Sequence, residues 1–448
     1  MQDKQSIHGF WASRWIFILA AVGSAVGLGN IWKFPYITGE NGGGAFVLVY
    51  LVCILFVGIP IMMSEVLIGR RARKSPINAL HDVAIESKKT TRWSLVGVMG
   101  MFSGVMIFSF YSVVAGWVLN YIAEMAKGTF VGISAEDAGA TFDQLLASPG
   151  TMLFWHTIFA IMTTIVVIGG VNKGLERATR IMMPALFVLL IILLGYAMTL
   201  DGFSKGWDFM FHFDPSELSW DAVLVALGHS FFTLSLGMGT IMAYGAYMPK
   251  KASVTGTVFA IAALDTLVAL VAGLAIFPII FTNGMDPSAG PGLMFVSLPV
   301  AFGQMPGGQL FGLLFFILVG VAAWTSAISL LEPTVAFLVE KFKLSRTKAS
   351  VALGVVVWAL GISCLLAFNE WSDFKPFGKN MFDLLDYATA NIMLPLGGIL
   401  VSVFAGWVVL PKFSHQELAI SEQAHGLWLF VSRFIAPVAV AIVFYLNL

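Results

Sequence analysis

The chain has 448 residues, 58% of them hydrophobic and only 11% charged, with 25 basic residues balanced by 25 acidic ones. A soluble domain carries about 25% charged residues, so a water-soluble globular protein is excluded, and the zero net charge argues against a nucleic-acid partner. What remains is an all-α polytopic membrane protein embedded in a lipid bilayer.

A membrane-crossing helix needs about 20 apolar residues. Eleven such spans are read along the chain, at 13–36, 44–69, 94–125, 151–169, 178–199, 221–246, 254–281, 308–340, 348–368, 383–410 and 426–447. The polar stretches between them alternate in charge. All but five of the 25 Lys and Arg residues fall on the side that holds the N-terminus, leaving Lys33, Lys127, Lys205, Lys375 and Lys379 opposite. Positive charge marks the cytoplasmic face. The N-terminus is therefore expected in the cytoplasm of a multi-pass cell-membrane protein, and the odd number of spans puts the C-terminus outside. The N-terminus leads into an interrupted apolar segment without a cleavage site, so no removed signal peptide is read. Cys53 and Cys364 lie inside apolar runs and read as packing residues, with no disulfide framework.

Span 1 is interrupted by Gly23-Ser24-Ala25-Val26-Gly27-Leu28-Gly29-Asn30, and span 6 by Phe231-Phe232-Thr233-Leu234-Ser235-Leu236-Gly237-Met238-Gly239. Glycine loosens a helix by about 1 kcal/mol relative to alanine. A break at membrane depth is tolerated only where it is buried or lines a cavity. Two such breaks in corresponding positions are the signature of a secondary transporter with inverted repeats. The chain thus reads as one transmembrane domain, 1–448, with repeat one at 13–199, repeat two at 221–410 and an extra span at 426–447. Span 5 opens near Gly174 and reaches Pro184, a place where the helix weakens or kinks. The Gly/Pro-rich stretch 283–308 reads as an ordered loop packing as a lid, or as a linker.

Ionisable residues inside spans default to function. Asp265 stands mid-span with no Lys or Arg within seven residues. It reads as a sodium ligand or a proton carrier, the alternative being a protonated carboxyl bonded to a neighbouring helix. Unwound helix ends offer free carbonyls to a hard cation and amide dipoles to a carboxylate. Asn30, Thr233 and Ser235 add side-chain oxygens at the breaks, Thr325-Ser326 does so in span 8, and Tyr111 is placed to reach a substrate carboxylate. Each of these is also open to a structural reading as an interhelical bond, a backbone cap or packing. Glu65 reads as paired with Arg70 and Arg71 or solvated, and His229 as a satisfied structural histidine. A channel would need a continuous polar path, whereas the polar groups here are clustered. No nucleophile–base pair or metal cluster supports an enzyme.

Trp11-Ala12-Ser13-Arg14, Ala25-Val26-Gly27-Leu28-Gly29-Asn30-Ile31-Trp32-Lys33-Phe34-Pro35, Glu40-Asn41-Gly42-Gly43-Gly44-Ala45-Phe46, Gly58-Ile59-Pro60, the span 6 break, Trp324-Thr325-Ser326 and Asp386 together resemble the neurotransmitter:sodium symporters, in particular their eleven-span bacterial amino-acid branch. The resemblance covers spans 1–10. It implies a leucine-transporter-like 5+5 inverted repeat with discontinuous spans 1 and 6. It also implies sodium-coupled symport of hydrophobic, aliphatic and aromatic L-amino acids by alternating access, with two sodium ions. The alternatives are sodium-dependent transport of another amine or amino-acid class, or a non-transporting sensor of the same fold.

The resemblance implies residue roles as well. The first sodium site would use the Ala25 carbonyl, Asn30, Thr233, Asp265 and the substrate carboxylate. The second would use the carbonyls of Gly23, Val26 and Ala322 with the hydroxyls of Thr325 and Ser326. The substrate carboxylate would meet amides near Leu28 and Gly29 and the Tyr111 hydroxyl, and its amino group carbonyls near Ala25, Phe232 and Ser235, beside Thr233. Its side chain would lie among Ile107, Phe232, Met238 and Leu330. An outer gate would pair Lys33 with Asp386. An inner gate would join the N-terminal segment to Glu340, near Trp11 and Tyr247. Related bacterial transporters unwind span 5 at Gly174 to let water reach the second sodium site.

Several positions depart from the family pattern. Asp265 stands where Asn is usual, Ala269 where chloride-dependent members have Ser, His229 where a Gln is common, Lys33 where Arg is usual, and His8 where Arg is usual, with Lys4 as a substitute. Ala269 cannot ligate an anion, while Asp265 supplies negative charge itself. Chloride-independent transport without an obligate protein partner is therefore expected.

Overall fold

The computed structural model describes residues 7–288 and 292–446, and among them there are helices and turns but no strand. Among the described residues, nine helices are long and apolar enough to cross a membrane: Gly44–Ala72, Thr91–Lys127, Pro149–Ile168, Gly170–Ala197, Val254–Thr282, Gly308–Phe342, Arg346–Leu366, Met381–Val408 and Glu422–Leu446. A tenth span is the bent pair Arg14–Ala25 and Gly29–Glu40, whose axes meet at 54°. The expected eleventh, 221–246, is two helices, Trp220–Thr233 and Thr240–Ala246, separated by six residues. Neither reaches the length of a crossing alone. The break in span 6 is thus wider than the break in span 1.

Local chemistry sets many of the boundaries. Ser13, Ser219, Ser253 and Ser345 each accept a bond from the backbone amide three residues on, satisfying a donor that the first turn leaves unpaired. Five π-turns, ending at Lys33, Gly58, Ser297, Met393 and Ile435, each stop two residues before a proline: Pro35, Pro60, Pro299, Pro395 and Pro437. Proline has no amide hydrogen and its ring collides with the carbonyl four residues back. A widened turn makes room for the ring and keeps the helix continuous through the membrane.

Spans 1, 2, 6 and 7 pack on one another, as do spans 3, 4, 8 and 9. The two groups meet along the broken segments. Span 5 runs continuously as Gly170–Ala197, with Pro184 inside it and a π-turn at Gly170–Glu176. The unwinding expected at Gly174 is not present, because the widened turn absorbs the weak start. Five of the stretches between the expected spans contain α-helices among their described residues, at Pro76–Glu86, Ala135–Leu146, Phe203–Phe211, Pro411–Leu418 and Leu298–Gln304. The last belongs to the 283–308 connection, whose described part from Leu293 to Gln304 is helical. Its Phe295 is buried against Trp117, Tyr121 and Phe142. Gly290 and Pro291 lie outside the described residues.

Gly237 holds the wider break together. Its φ is +80°, and a Cβ there would stand 2.5 Å from the Leu394 carbonyl oxygen. Gly237→Ala is expected to destabilise the protein by about 1–3 kcal/mol. Thermal unfolding in detergent micelles measures this, and an unchanged transition would show that the break has slack.

Candidate functional site

The break in span 1 starts where Val26 turns extended, with φ −70° and ψ 106°. Gly27 follows, pressed against span 8 and span 3. A Cβ there would meet Ser326 Oγ at 2.5 Å and the Tyr111 hydroxyl at 2.8 Å. In span 6 the chain passes through three left-handed residues, Ser235, Gly237 and Gly239. The groups freed by each break are satisfied from elsewhere. The Leu28 amide donates to the Tyr111 hydroxyl at 3.3 Å, and the Gly27 amide to Asn30 Oδ1 at 3.2 Å. The Gly237 amide donates to Glu65 Oε1 at 2.8 Å.

Asp265 is fully buried at this junction. Its carboxylate accepts from Asn30 Nδ2 at 2.8 Å and from Thr233 Oγ1 at 2.9 Å. Among the described residues it has neutral donors and no salt bridge. Three of the residues proposed for the first cation site, from three different spans, are therefore in direct contact. A buried carboxylate without a cationic partner is costly, and a hard cation bound by oxygen atoms would remove that cost.

A second oxygen cluster lies between spans 1 and 8. Ser326 Oγ is 3.3 Å from the Gly23 carbonyl oxygen, 3.0 Å from that of Ser24 and 3.1 Å from that of Val26. Thr325 Oγ1 donates to the Ala322 carbonyl at 3.0 Å. Three carbonyls share one hydroxyl proton, so acceptors outnumber donors. That donor set also suits a hard cation.

Between the clusters is a small cavity of about 30 Å³, bordered by Ile107, Tyr111, Phe232, Met238 and Leu330 and by the backbone of the span 1 break. These are the residues expected around a substrate side chain. Leu28, Tyr111 and Phe232 separate this cavity from a vestibule of about 360 Å³. Trp32, Tyr36, Trp117, Phe295 and Phe382 give the vestibule aromatic walls. Lys33 and Asp386 both line it, yet among the described residues no ion pair joins them. The Lys33 ammonium lies 4.9 Å from the Phe232 ring centroid, held over an aromatic face. The expected outer pair is unmade because the vestibule stands open between its two partners.

The opposite, basic side is closed. Trp11 is buried edge-on against Tyr244, with ring centroids 5.4 Å apart, and its amide donates to the Tyr247 carbonyl at 3.0 Å. His8 Nε2 sits 3.0 Å from Glu340 Oε1. Glu340 also accepts from the Ser75 amide at 2.8 Å, its hydroxyl at 2.5 Å and Asn78 Nδ2 at 2.6 Å. His8 thus takes the place for which Lys4 was a candidate, and Lys4 lies outside the described residues. A second lock lies deeper. Tyr247 donates its hydroxyl to Glu332 at 2.9 Å, and Arg346 holds both oxygens of the same carboxylate.

The sequence model of the Sodium:neurotransmitter symporter family matches residues 8–131 and 139–448. The chain belongs to this family. The sodium-dependent transporter YhdH of Bacillus subtilis (strain 168) is 39% identical over 457 residues, which span 100% of this chain and 99% of that one. A sodium-dependent transporter of Haemophilus influenzae is 34% identical over 98% of each chain. The crystal structure of MhsT in complex with L-phenylalanine matches with a TM-score of 0.90 and 44% identity, over 98% of this chain and 99% of that one. This symporter is therefore a multi-pass, sodium-dependent membrane transporter and not an enzyme.

Two expectations need correction. Glu65 is neither solvated nor paired with the arginines. It is fully buried and holds the Gly237 amide, while Arg70 and Arg71 pair with Glu417 and Arg71 also with Glu86. His229 packs its ring on Phe34 and Tyr50, and among the described residues neither ring nitrogen has a hydrogen-bond partner. The sequence reading also missed Ser24 and Ser329 in the cavity wall and the Ser75, Asn78 and Arg346 contacts of the basic side. Ser329 lies one helical turn after Ser326, a spacing that could have marked it. Trp11→Ala is expected to loosen the basic-side seal, since truncating a buried Trp costs about 3–5 kcal/mol. Hydrogen–deuterium exchange over residues 7–25 should rise at least tenfold, and unchanged protection would deny the wedge a sealing role.

Proposed function

We propose that this symporter couples two sodium ions to the uptake of hydrophobic L-amino acids, aliphatic and aromatic, without chloride. The observation that carries the reading is the buried Asp265–Asn30–Thr233 contact beside an apolar cavity walled by broken helices. One sodium binds to Asn30, Thr233, Asp265 and the Ala25 carbonyl, and the amino-acid carboxylate completes its shell. Substrate and ion then share a ligand set, so each raises the affinity for the other. The second sodium takes the carbonyls of Gly23, Val26 and Ala322 with the hydroxyls of Thr325 and Ser326. It ties span 1 to span 8, and its departure frees spans 1, 2, 6 and 7 to move against spans 3, 4, 8 and 9.

The substrate carboxylate meets the amides near Leu28 and Gly29 and the Tyr111 hydroxyl. The ammonium faces the carbonyl-rich edges near Ala25, Phe232 and Ser235. The side chain is enclosed by Ile107, Phe232, Met238 and Leu330. Met238 is flexible and polarizable and supports a pocket that accepts rings as well as branched chains. The phenylalanine bound to MhsT is consistent with that size range. The vestibule above Phe232 is the outer entrance, closed by Lys33 and Asp386 when substrate is bound. The Trp11, Tyr247 and Glu340 contacts form the inner gate on the cytoplasmic side of the cell membrane. The N-terminus is cytoplasmic and the C-terminus lies outside.

Concentrative uptake of labelled leucine and tryptophan into proteoliposomes is expected only with an inward sodium gradient. Binding without accumulation would identify a sensor instead. Asp265→Ala is expected to abolish sodium-driven uptake, and unchanged sodium dependence in that variant would refute the ligand role. Ala269 is buried and offers no anion ligand. Replacing chloride by gluconate should leave uptake unchanged, whereas a severalfold loss would assign chloride a place in the cycle.

A further inference from the structure

We propose that the substrate cavity selects amino acids whose side chains carry their own hydrogen-bond donor, and that Ser24 and Ser329 determine this selection. The chemical class is a phenol, an indole N–H or a hydroxyl, favoured over side chains of equal size without one. The proposal rests on the amino-acid reading given above.

It follows from where the hydroxyl protons go. Four serines, Ser24, Ser235, Ser326 and Ser329, line the cavity, and all are buried. Ser329 donates to the Ser326 carbonyl at 2.7 Å. Ser235 donates to the Ser24 carbonyl at 3.0 Å. Ser326 donates into the carbonyls of the span 1 break. A carbonyl only accepts, so those three protons are committed. Ser24 Oγ must then be the donor to Ser329 Oγ, 2.8 Å away. Its contact with Ser235 Oγ is long, at 3.5 Å.

Each hydroxyl has one proton and two lone pairs. All four protons are used inside the protein, while the lone pairs of Ser24 find no donor among the described residues and those of Ser329 are only half used. This part of the cavity wall therefore accepts hydrogen bonds and has none to give. Apart from the Tyr111 hydroxyl and the span 1 backbone, which the proposed reading gives to the carboxylate and ammonium, the remaining side chains of the wall are apolar. A substrate whose side chain brings a donor pairs with this buried acceptor, and one without a donor leaves it unpaired. A net neutral hydrogen bond of this kind gives roughly three- to tenfold in affinity.

The test is competition against labelled phenylalanine for sodium-dependent binding to the purified full-length protein. Two ligand pairs are compared: tyrosine with phenylalanine, and tryptophan with 3-benzothienylalanine, in which sulfur replaces the N–H. Wild-type protein is expected to bind the donor-bearing member roughly three- to tenfold tighter in each pair. In the double variant Ser24→Ala/Ser329→Ala both ratios should collapse to about one. Equal affinities in the wild type would overturn the proposal. So would ratios that survive in the variant. A parallel weakening of all four ligands with the ratios kept and binding still measurable would also overturn it, because the serines would then serve the common ammonium group. If the double variant binds no phenylalanine, Ser24→Cys carries the test, being close in volume and a poorer acceptor. A reduced ratio supports the proposal and an unchanged one overturns it. Failure of every amino acid to bind the wild type would remove the amino-acid reading itself, and this proposal with it.

Discussion

The structure depends on one constraint: a peptide group inside a bilayer must find a partner, yet two of the helices are broken at membrane depth. Each break exposes amides and carbonyls that an intact helix would have consumed. The protein satisfies them by facing the breaks toward each other and enclosing them with span 3, span 8 and the buried carboxylate of Glu65. Tyr111 takes the Leu28 amide, Ser326 sits among three carbonyls, and Glu65 takes the Gly237 amide. The result is a small polar interior in which oxygen acceptors exceed donors, surrounded by Phe, Ile, Leu and Met. Cation binding and substrate enclosure both follow from that imbalance.

Asp265 sharpens it. Its carboxyl group is fully buried between Asn30 and Thr233, so an acidic side chain stands at the junction of the two breaks. Ala269, one turn further along the same span, is buried and offers no anion ligand. The Lys33 ammonium lies over the Phe232 ring and lines the vestibule, whereas Asp265 lines neither cavity.

Much of this was legible in the chain itself. Both breaks were visible because glycine and polar residues interrupt apolar runs, and Asp265 because a lone carboxylate in a span has no local explanation. Asn30, Thr233 and Asp265 could be nominated one by one, but the Asn30–Asp265 contact joins residues 235 positions apart and needs the fold. Glu65 was misread because Arg70 and Arg71 follow it closely in sequence, whereas its true partner, the Gly237 amide, is 172 residues away. The prolines at 35, 60, 299, 395 and 437 were visible as residues, but the widened turns that accommodate them were not, since π-turns have no periodicity of their own. The open vestibule was not legible either. Lys33 and Asp386 are 353 positions apart, and that both line one vestibule without an ion pair between them needed the fold.

The Glu332–Arg346 pair has a consequence for how the basic side opens. Both partners belong to spans 8 and 9, and Arg346 is also tied to the Val167 carbonyl of span 4. Tyr247, by contrast, follows the second half of span 6 and touches the pair only through its hydroxyl. Any movement that separates these two groups of helices therefore breaks a phenol contact and leaves the ion pair whole. No buried charge is stranded, so the electrostatic work of opening stays small even in a medium of low dielectric constant. Both charges of this lock therefore sit on one group of helices, and the other group reaches it through a neutral hydroxyl.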